Sequence, residues 1–233
     1  QIFQPFAHYL GREYTVISVD LPHHGKSEWP ELRHFDVPQL KALIQFLFEE
    51  YKVDKLSLMG YSLGGRVCLK AVELVPAHID KVLLIAPDGL AFNPFYYFLT
   101  RTKVGSTIFR RFLTDPRRYM YLIEFARKRK WLDESRYKFA MQYLQTPDAR
   151  NFLLRVWPGM SRLIPDSRKL RKAIIKHLIP VHIFMGNYDR IIPVPLAKKF
   201  QKELETVQLH ILEKGHRVFD SETLPDMAQC LLS

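Results

Sequence analysis

The chain has 233 residues and a mass of 27.5 kDa, long for one domain and short for two, so one core carrying an insertion is the first expectation. Its composition, 47% hydrophobic and 25% charged, excludes disorder, collagen and coiled coil, and no apolar run approaches the about 18 residues of a membrane span. The net charge of +11 is uneven: twenty Lys and Arg against six Asp and Glu lie between Arg101 and Lys176, and the remainder is slightly acidic.

Taken in order, Tyr14–Val19 is a short β-branched run and reads as a strand. Val37–Tyr51 places Leu40, Leu43, Ile44, Leu47 and Phe48 on one face, which predicts a helix. Lys55–Met59 reads as a strand, Ser62–Val75 as a helix and Lys81–Ala86 as a strand. From about Ala91 to Ile175 the alternation stops. That stretch has no strand candidate, holds 16 of the 30 aromatics, and is broken at Pro94, Pro116, Pro147, Pro158 and Pro165. Val181–Met185 is again a strand, Pro195–Leu204 a helix and Val207–Leu212 a strand. Strands alternating with helices imply an α/β fold, a mostly parallel sheet flanked by helices. The expected organisation is a core from residues 1–90 and 176–233, with a helical insertion at 91–175.

Gly60-Tyr61-Ser62-Leu63-Gly64-Gly65 stands directly after an apolar strand and directly before a helix. A sharp turn there holds Ser62 in strained geometry with its hydroxyl exposed, and the glycines leave room for the crowding. The helix N-terminus favours developing negative charge, and the Leu63 N–H is the expected oxyanion donor. Tyr61 is read as a substrate contact beside the serine. The bland rival is a small-residue turn that merely lets helix and strand pack.

With these residues the sequence resembles the α/β-hydrolase family, whose triad runs nucleophile, acid, histidine. Gly186-Asn187-Tyr188-Asp189-Arg190-Ile191-Ile192-Pro193 is similar to the family's acid loop, and Lys214-Gly215-His216 to its histidine loop. Leu21-Pro22-His23-His24-Gly25-Lys26-Ser27 resembles the loop after the family's fourth strand, with His23 in the usual glycine position. The resemblance implies Ser62 as nucleophile, His216 as base and Asp189 as acid. Asp88, in Pro87-Asp88-Gly89, is a rival acid, since some members carry the acid after that strand. Gln1–Leu10 looks like the helix that follows the family's oxyanion segment, so three strands and that segment are expected before Gln1. The resemblance also makes the insertion a helical cap over the nucleophile, with Phe95, Tyr96, Tyr97 and Phe98 lining a pocket or forming the cap's own core.

Arg66 lies four residues after Ser62, on the same helix face. Gly-Tyr-Ser-Leu-Gly-Gly-Arg also resembles the menaquinone-pathway synthase branch, where the arginine holds a substrate carboxylate; the rival is an ordinary ion-pairing arginine. The implied activity is cleavage of carboxylic esters or thioesters through an acyl-enzyme, on an acyl substrate that the basic segment allows to be anionic. The alternatives are a carbon–carbon hydrolase or synthase on an anionic substrate, and a catalytically silent binding module. No cofactor is expected. No metal is expected either, because the histidines show no ligand spacing; His23 and His24 read as a structural loop, and Gly64-Gly65 as helix–strand packing. The run Arg127-Lys128-Arg129-Lys130 reads as a solvated surface, with an anionic membrane as the alternative partner and nucleic acid disfavoured. Two cysteines, Cys68 and Cys230, make no disulfide framework, which points to the cytoplasm.

Overall fold

The structure, a computed structural model, describes residues 3–30, 33–131 and 134–232. Gln1 and Ile2 of the expected first helix, and Ser233 of the expected core, lie outside the described residues. In chain order the elements are α1 (Gln4–Leu10), α2 (Val37–Tyr51), β1 (Leu56–Tyr61), α3 (Leu63–Leu74), β2 (Ile79–Ile85), α4 (Pro94–Arg101), α5 (Lys103–Thr114), α6 (Arg117–Lys128), α7 (Glu134–Leu144), α8 (Pro147–Gly159), α9 (Ser167–His177), β3 (Val181–Gly186), α10 (Val194–Gln201), β4 (Val207–Leu212) and α11 (Leu224–Leu232). None of these helices is long and apolar enough to cross a membrane. They fall into two compact units. One takes its described residues from Gln1–Val19, Val37–Phe92 and Leu163–Ser233, the other from Asp20–Asp36 and Asn93–Arg162.

The first unit is built on a four-stranded parallel sheet in the order β1-β2-β3-β4. Side chains alternate faces along a strand, and the sequence uses that period directly. Val82 and Leu84 of β2, and Val181, Ile183 and Met185 of β3, join Leu69 and Val72 of α3, Leu170 and Ile174 of α9, and Ala197 and Phe200 of α10 in one cluster. The intervening Leu83, Ile85 and Phe184 join Phe6 and Leu10 of α1 and Met227, Ala228 and Leu231 of α11 in another. Both faces are covered, so β3 is buried along its whole length and is apolar apart from His182.

Two expectations are corrected here. Tyr14–Val19 is not a strand and pairs with none of the described strands. Tyr14 and Val16 still pack against the second cluster, and the Tyr14 hydroxyl donates to the Leu231 carbonyl at 2.6 Å. Composition favours an extended path, but a ladder needs an open neighbouring edge, which composition does not specify. The insertion boundary also moves. Residues 163–175 belong to the sheet unit, because Leu170 and Ile174 enter its core and the Asp166 N–H donates to Glu73 of α3 at 2.7 Å.

The second unit is helical, as its spacing and breakers predict. Two of the prolines mark helix starts: Pro94 and Pro147 take first-turn positions, where a missing N–H costs nothing, whereas Pro158, expected as a breaker, lies inside α8 near its end. Asn93, Thr102 and Thr146 cap α4, α5 and α8 by accepting from Tyr96, Gly105 and Ala149 N–H groups. The core is Leu99, Phe109, Leu113, Leu144 and Leu153, with Trp157 stacked on Phe109 at 5.3 Å. Tyr96 belongs to this packing, its hydroxyl donating to the Trp157 carbonyl at 2.8 Å, whereas Phe95, Tyr97 and Phe98 are exposed. Asp20–Asp36, expected in the core, falls in this unit as well, and with it the 21–27 loop. His23, standing where the family has glycine, does adopt a left-handed φ of 64°.

On the second face of the sheet, two imidazoles replace aliphatic packing. His182 of β3 and His210 of β4 approach to 3.3 Å between Nδ1 and Nε2, and Phe184 stacks on His210 at 4.3 Å. Burial lowers the pKa of both, and for His182 the positive fields of His210 and Lys81 add to it. The folded chain thus keeps both rings neutral where the unfolded chain protonates. Their effect on stability vanishes above the unfolded value of 6.5 and becomes a growing loss as pH falls below it. Chemical denaturation in chelator-containing buffer, compared between about pH 7.5 and about pH 5.5, should show a larger loss in the parent than in a His182→Gln/His210→Gln variant.

Candidate active site

Ser62 stands between β1 and α3 with φ 49° and ψ −114°, a backbone region that L side chains rarely occupy. Main-chain bonds hold it there. The Ser62 N–H donates to Ile85 O at 3.0 Å, and the Ser62 carbonyl accepts from Asp88 N and Gly65 N, each at 2.9 Å. The turn is tight enough to need glycine at two positions. A Cβ at Gly60 would lie 2.5 Å from Gly64 O, and one at Gly65 would lie 2.5 Å from the Pro87 Cβ. Gly65 is therefore a packing glycine, as expected. Gly64 is not, since a Cβ there would meet nothing within 4 Å. Leu63 is the first residue of α3, where backbone N–H groups have no intrahelical acceptor.

Asp189 and His216 follow β3 and β4, so all three side chains stand at the C-terminal ends of parallel strands, where open α/β sheets place their sites. Asp189 is 2% exposed. Its Oδ1 accepts from the N–H groups of Ile191 at 2.8 Å and Ile192 at 2.9 Å, and its Oδ2 lies 2.7 Å from His216 Nδ1. His216 Nε2 lies 3.2 Å from Ser62 Oγ. The two loops are tied together by backbone: Asn187 N donates to Leu212 O at 2.7 Å, and Tyr188 N to Lys214 O at 2.9 Å. A Cβ at Gly186 would fall on the Gly215 carbonyl, so only glycine lets the loops approach. Lys214 pairs with Asp220, and that hydrogen bond, with others from the Thr223 and Glu222 N–H groups, holds the Asp220 carboxyl below the usual range.

The rival acid is turned elsewhere. Asp88 Oδ2 lies 3.2 Å from Arg66 Nε, and its Oδ1 accepts from Gly89 N at 2.7 Å. Arg66 is 4% exposed and packs its stem against Gly89. This contact is the ion pair that was the rival reading of Arg66. Tyr61 does stand beside the site: its ring lies 5.3 Å from the His216 ring and 5.2 Å from the Phe219 ring. Tyr61 also lines a cavity of about 880 Å³ with Tyr9, Arg217, Phe219 and Leu224. The aromatic and apolar lining from α1 and α11 carries no local motif, so sequence reasoning had no signal for it.

A family model described as alpha/beta hydrolase fold matches residues 1–223. The chain is 26% identical over 216 residues to an uncharacterized hydrolase of Bacillus subtilis, YugF, covering 90% of this chain and 76% of that protein. It is 26% identical over 222 residues to the human monoacylglycerol lipase ABHD6, covering 90% of this chain and 64% of the lipase. It is 28% identical over 209 residues to the Pseudomonas putida dihydrolipoyllysine-residue acetyltransferase component of the acetoin cleaving system, and spans 53% of that protein. Among solved structures, the α/β-hydrolase MGS-M2 from a deep-sea metagenome superposes with a TM-score of 0.68 at 14% identity, over 99% of this chain and 82% of that one. The 2-hydroxy-6-oxo-6-phenylhexa-2,4-dienoate hydrolase of Rhodococcus gives 0.62 at 22% identity, over 99% and 84%. These two likenesses concern the fold.

The glycines give a direct test of the turn geometry. Gly60→Ala and Gly186→Ala should each destabilise by about 1–3 kcal/mol, the usual cost of overpacking. Gly64→Ala should be neutral, or stabilise by up to about 1 kcal/mol through helix propensity. Thermal denaturation of the three variants checks the ordering.

Proposed function

Because the chain belongs to the α/β-hydrolase family, we propose that it is a serine hydrolase cleaving carboxylic esters or thioesters through an acyl-enzyme. The observation that carries this reading is the hydrogen-bond chain from Asp189 through His216 to Ser62. A serine hydroxyl is a weak nucleophile at neutral pH and needs an adjacent base. His216 Nε2 takes the Ser62 proton as Oγ attacks the carbonyl carbon, and returns it to the leaving oxygen or sulfur. Asp189 fixes the tautomer with Nδ1 protonated and stabilises the imidazolium. The Leu63 N–H stabilises the oxyanion from the start of α3. Water then attacks the acyl-enzyme by the same proton path. The cavity walled by Tyr61 and Phe219 suits an apolar portion of the substrate. The lipase name of the human relative supports an ester substrate. In this reading the free thiols of Cys68 and Cys230 suit a cytoplasmic setting.

The carbon–carbon alternative leaned on Arg66 as an anion holder, and the Arg66–Asp88 pair weighs against it. A second reading concerns the partner of the basic segment. Helix α6 has no buried residue; Tyr121 is 76% exposed and Trp131, just beyond it, 74%. Apolar rings among Arg117, Arg118, Lys128 and Arg129 have the composition of a helix lying on an anionic membrane. Sedimentation with phosphatidylserine vesicles, falling with salt and absent with phosphatidylcholine alone, is the expected result.

Fluorophosphonate labelling should modify the parent and not Ser62→Ala; an unlabelled parent would leave the silent binding module standing. Asp189→Asn should lower turnover by up to about 10⁴-fold. Asp88→Asn should lower stability, by leaving Arg66 without its counter-charge, and spare the chemical step. Steady-state kinetics with denaturation curves on the two variants separates these effects.

A further inference from the structure

A second cluster of reactive groups lies at the other end of the strands. His182 is the second residue of β3, His210 the fourth of β4, and Cys230 is on α11, which covers that face of the sheet. The strand register pairs His182 with Gln208 and Phe184 with His210, so the two histidines are diagonal neighbours on one face. Their ligand atoms and the Cys230 Sγ all lie within 4.8 Å of one another. A cavity of about 480 Å³ opens on the group, lined by Lys81, His182, Gln208, Asp226, Gln229 and Cys230.

We propose that His182, His210 and Cys230 form a binding site for a borderline-soft divalent metal of the zinc class, separate from Ser62. The ligand set decides the class: two imidazoles and a thiolate select zinc-like ions and disfavour calcium and magnesium, which take oxygen. The spacing decides the geometry. Two metal–nitrogen bonds of about 2.0–2.1 Å at a tetrahedral angle separate their nitrogens by about 3.3 Å. His182 Nδ1 and His210 Nε2 are 3.3 Å apart. Metal binding removes the hydrogen shared between these nitrogens to the other nitrogen of its own ring, so both lone pairs face the ion. Cys230, whose thiol lies 3.4 Å from the Asp226 carbonyl, gives its proton to solvent and binds as thiolate after a small rotation. The fourth tetrahedral position opens on the cavity, where a water or Asp226 completes the shell. The charges facing the site are the Lys81 ammonium, held by the Leu231 carbonyl at 3.0 Å, and the Asp226 carboxylate. They offset one another, leaving the thiolate to neutralise part of the ion's charge.

The histidine pair also has a metal-free explanation, a simple hydrogen bond between neighbouring rings, and the test must separate the two. Chelator-treated chain is titrated with Co²⁺ under reducing, oxygen-free conditions, and the thiolate-to-cobalt charge-transfer band is followed. The expected result is one equivalent bound at micromolar affinity or tighter, with the band, and its displacement by Zn²⁺. Cys230→Ser should abolish the band and weaken Zn²⁺ binding by at least about tenfold. Ser62→Ala should keep both. Cys68 does not supply the band, since it is buried in the core on the opposite face of the sheet. If circular dichroism shows the serine variant unfolded, alkylation of the partly exposed Cys230 in the native chain makes the same comparison. Absence of stoichiometric micromolar binding, or a band that survives loss of the Cys230 thiol, overturns the proposal.

Discussion

The site depends on one strained residue. Ser62 stays at φ 49° because its own N–H and carbonyl are both bonded to the neighbouring strand end, at Ile85 and Asp88. Strain of this kind costs about 1–3 kcal/mol and persists only where the surroundings over-determine it. Here the surroundings are β2 in register with β1, Pro87 against Gly65, and Gly60 under the start of α3. The sheet is thus the clamp that keeps the hydroxyl presented. The same clamp extends outward: Asp88, which bonds the Ser62 carbonyl, is itself fixed by buried Arg66.

Two carboxylates of similar sequence context come to opposite uses through their partners. Asp189 is enclosed, with both oxygens accepting hydrogen bonds, one aimed at an imidazole. Asp88 is partly exposed and neutralises a guanidinium. The difference lies in which helix or loop faces each strand end. The fuller motif around Asp189 corresponds to a loop that turns so that the Ile191 and Ile192 N–H groups reach its carboxylate.

Much of the sheet was legible because buried parallel strands are short apolar runs, and four of the five candidates are strands. Tyr14–Val19 was misleading for the same reason, since its residues are apolar and packed without being paired. Ser62, Asp189 and His216 were legible because each sits in a short local motif at a strand end. The orientation of Arg66 was not, because an arginine one turn into a helix looks the same whether it faces a ligand or an aspartate. The His182, His210 and Cys230 group was invisible. Its members are 28 and 20 residues apart, and only the β3–β4 register and the packing of α11 bring them together.

The order of the strands has a kinetic consequence. Ser62 and His216 are 154 residues apart and meet only after β1, β2, β3 and β4 have paired in parallel along the sheet. Parallel pairing over such separations closes long loops before any contact rewards the closure, which makes it slow. Helices can form within microseconds, long before this geometry exists. During refolding, the Ser62–His216 hydrogen bond therefore marks the last stage, the arrival of β4, and a chain stalled with most of its helix would be spectroscopically near native yet lack it.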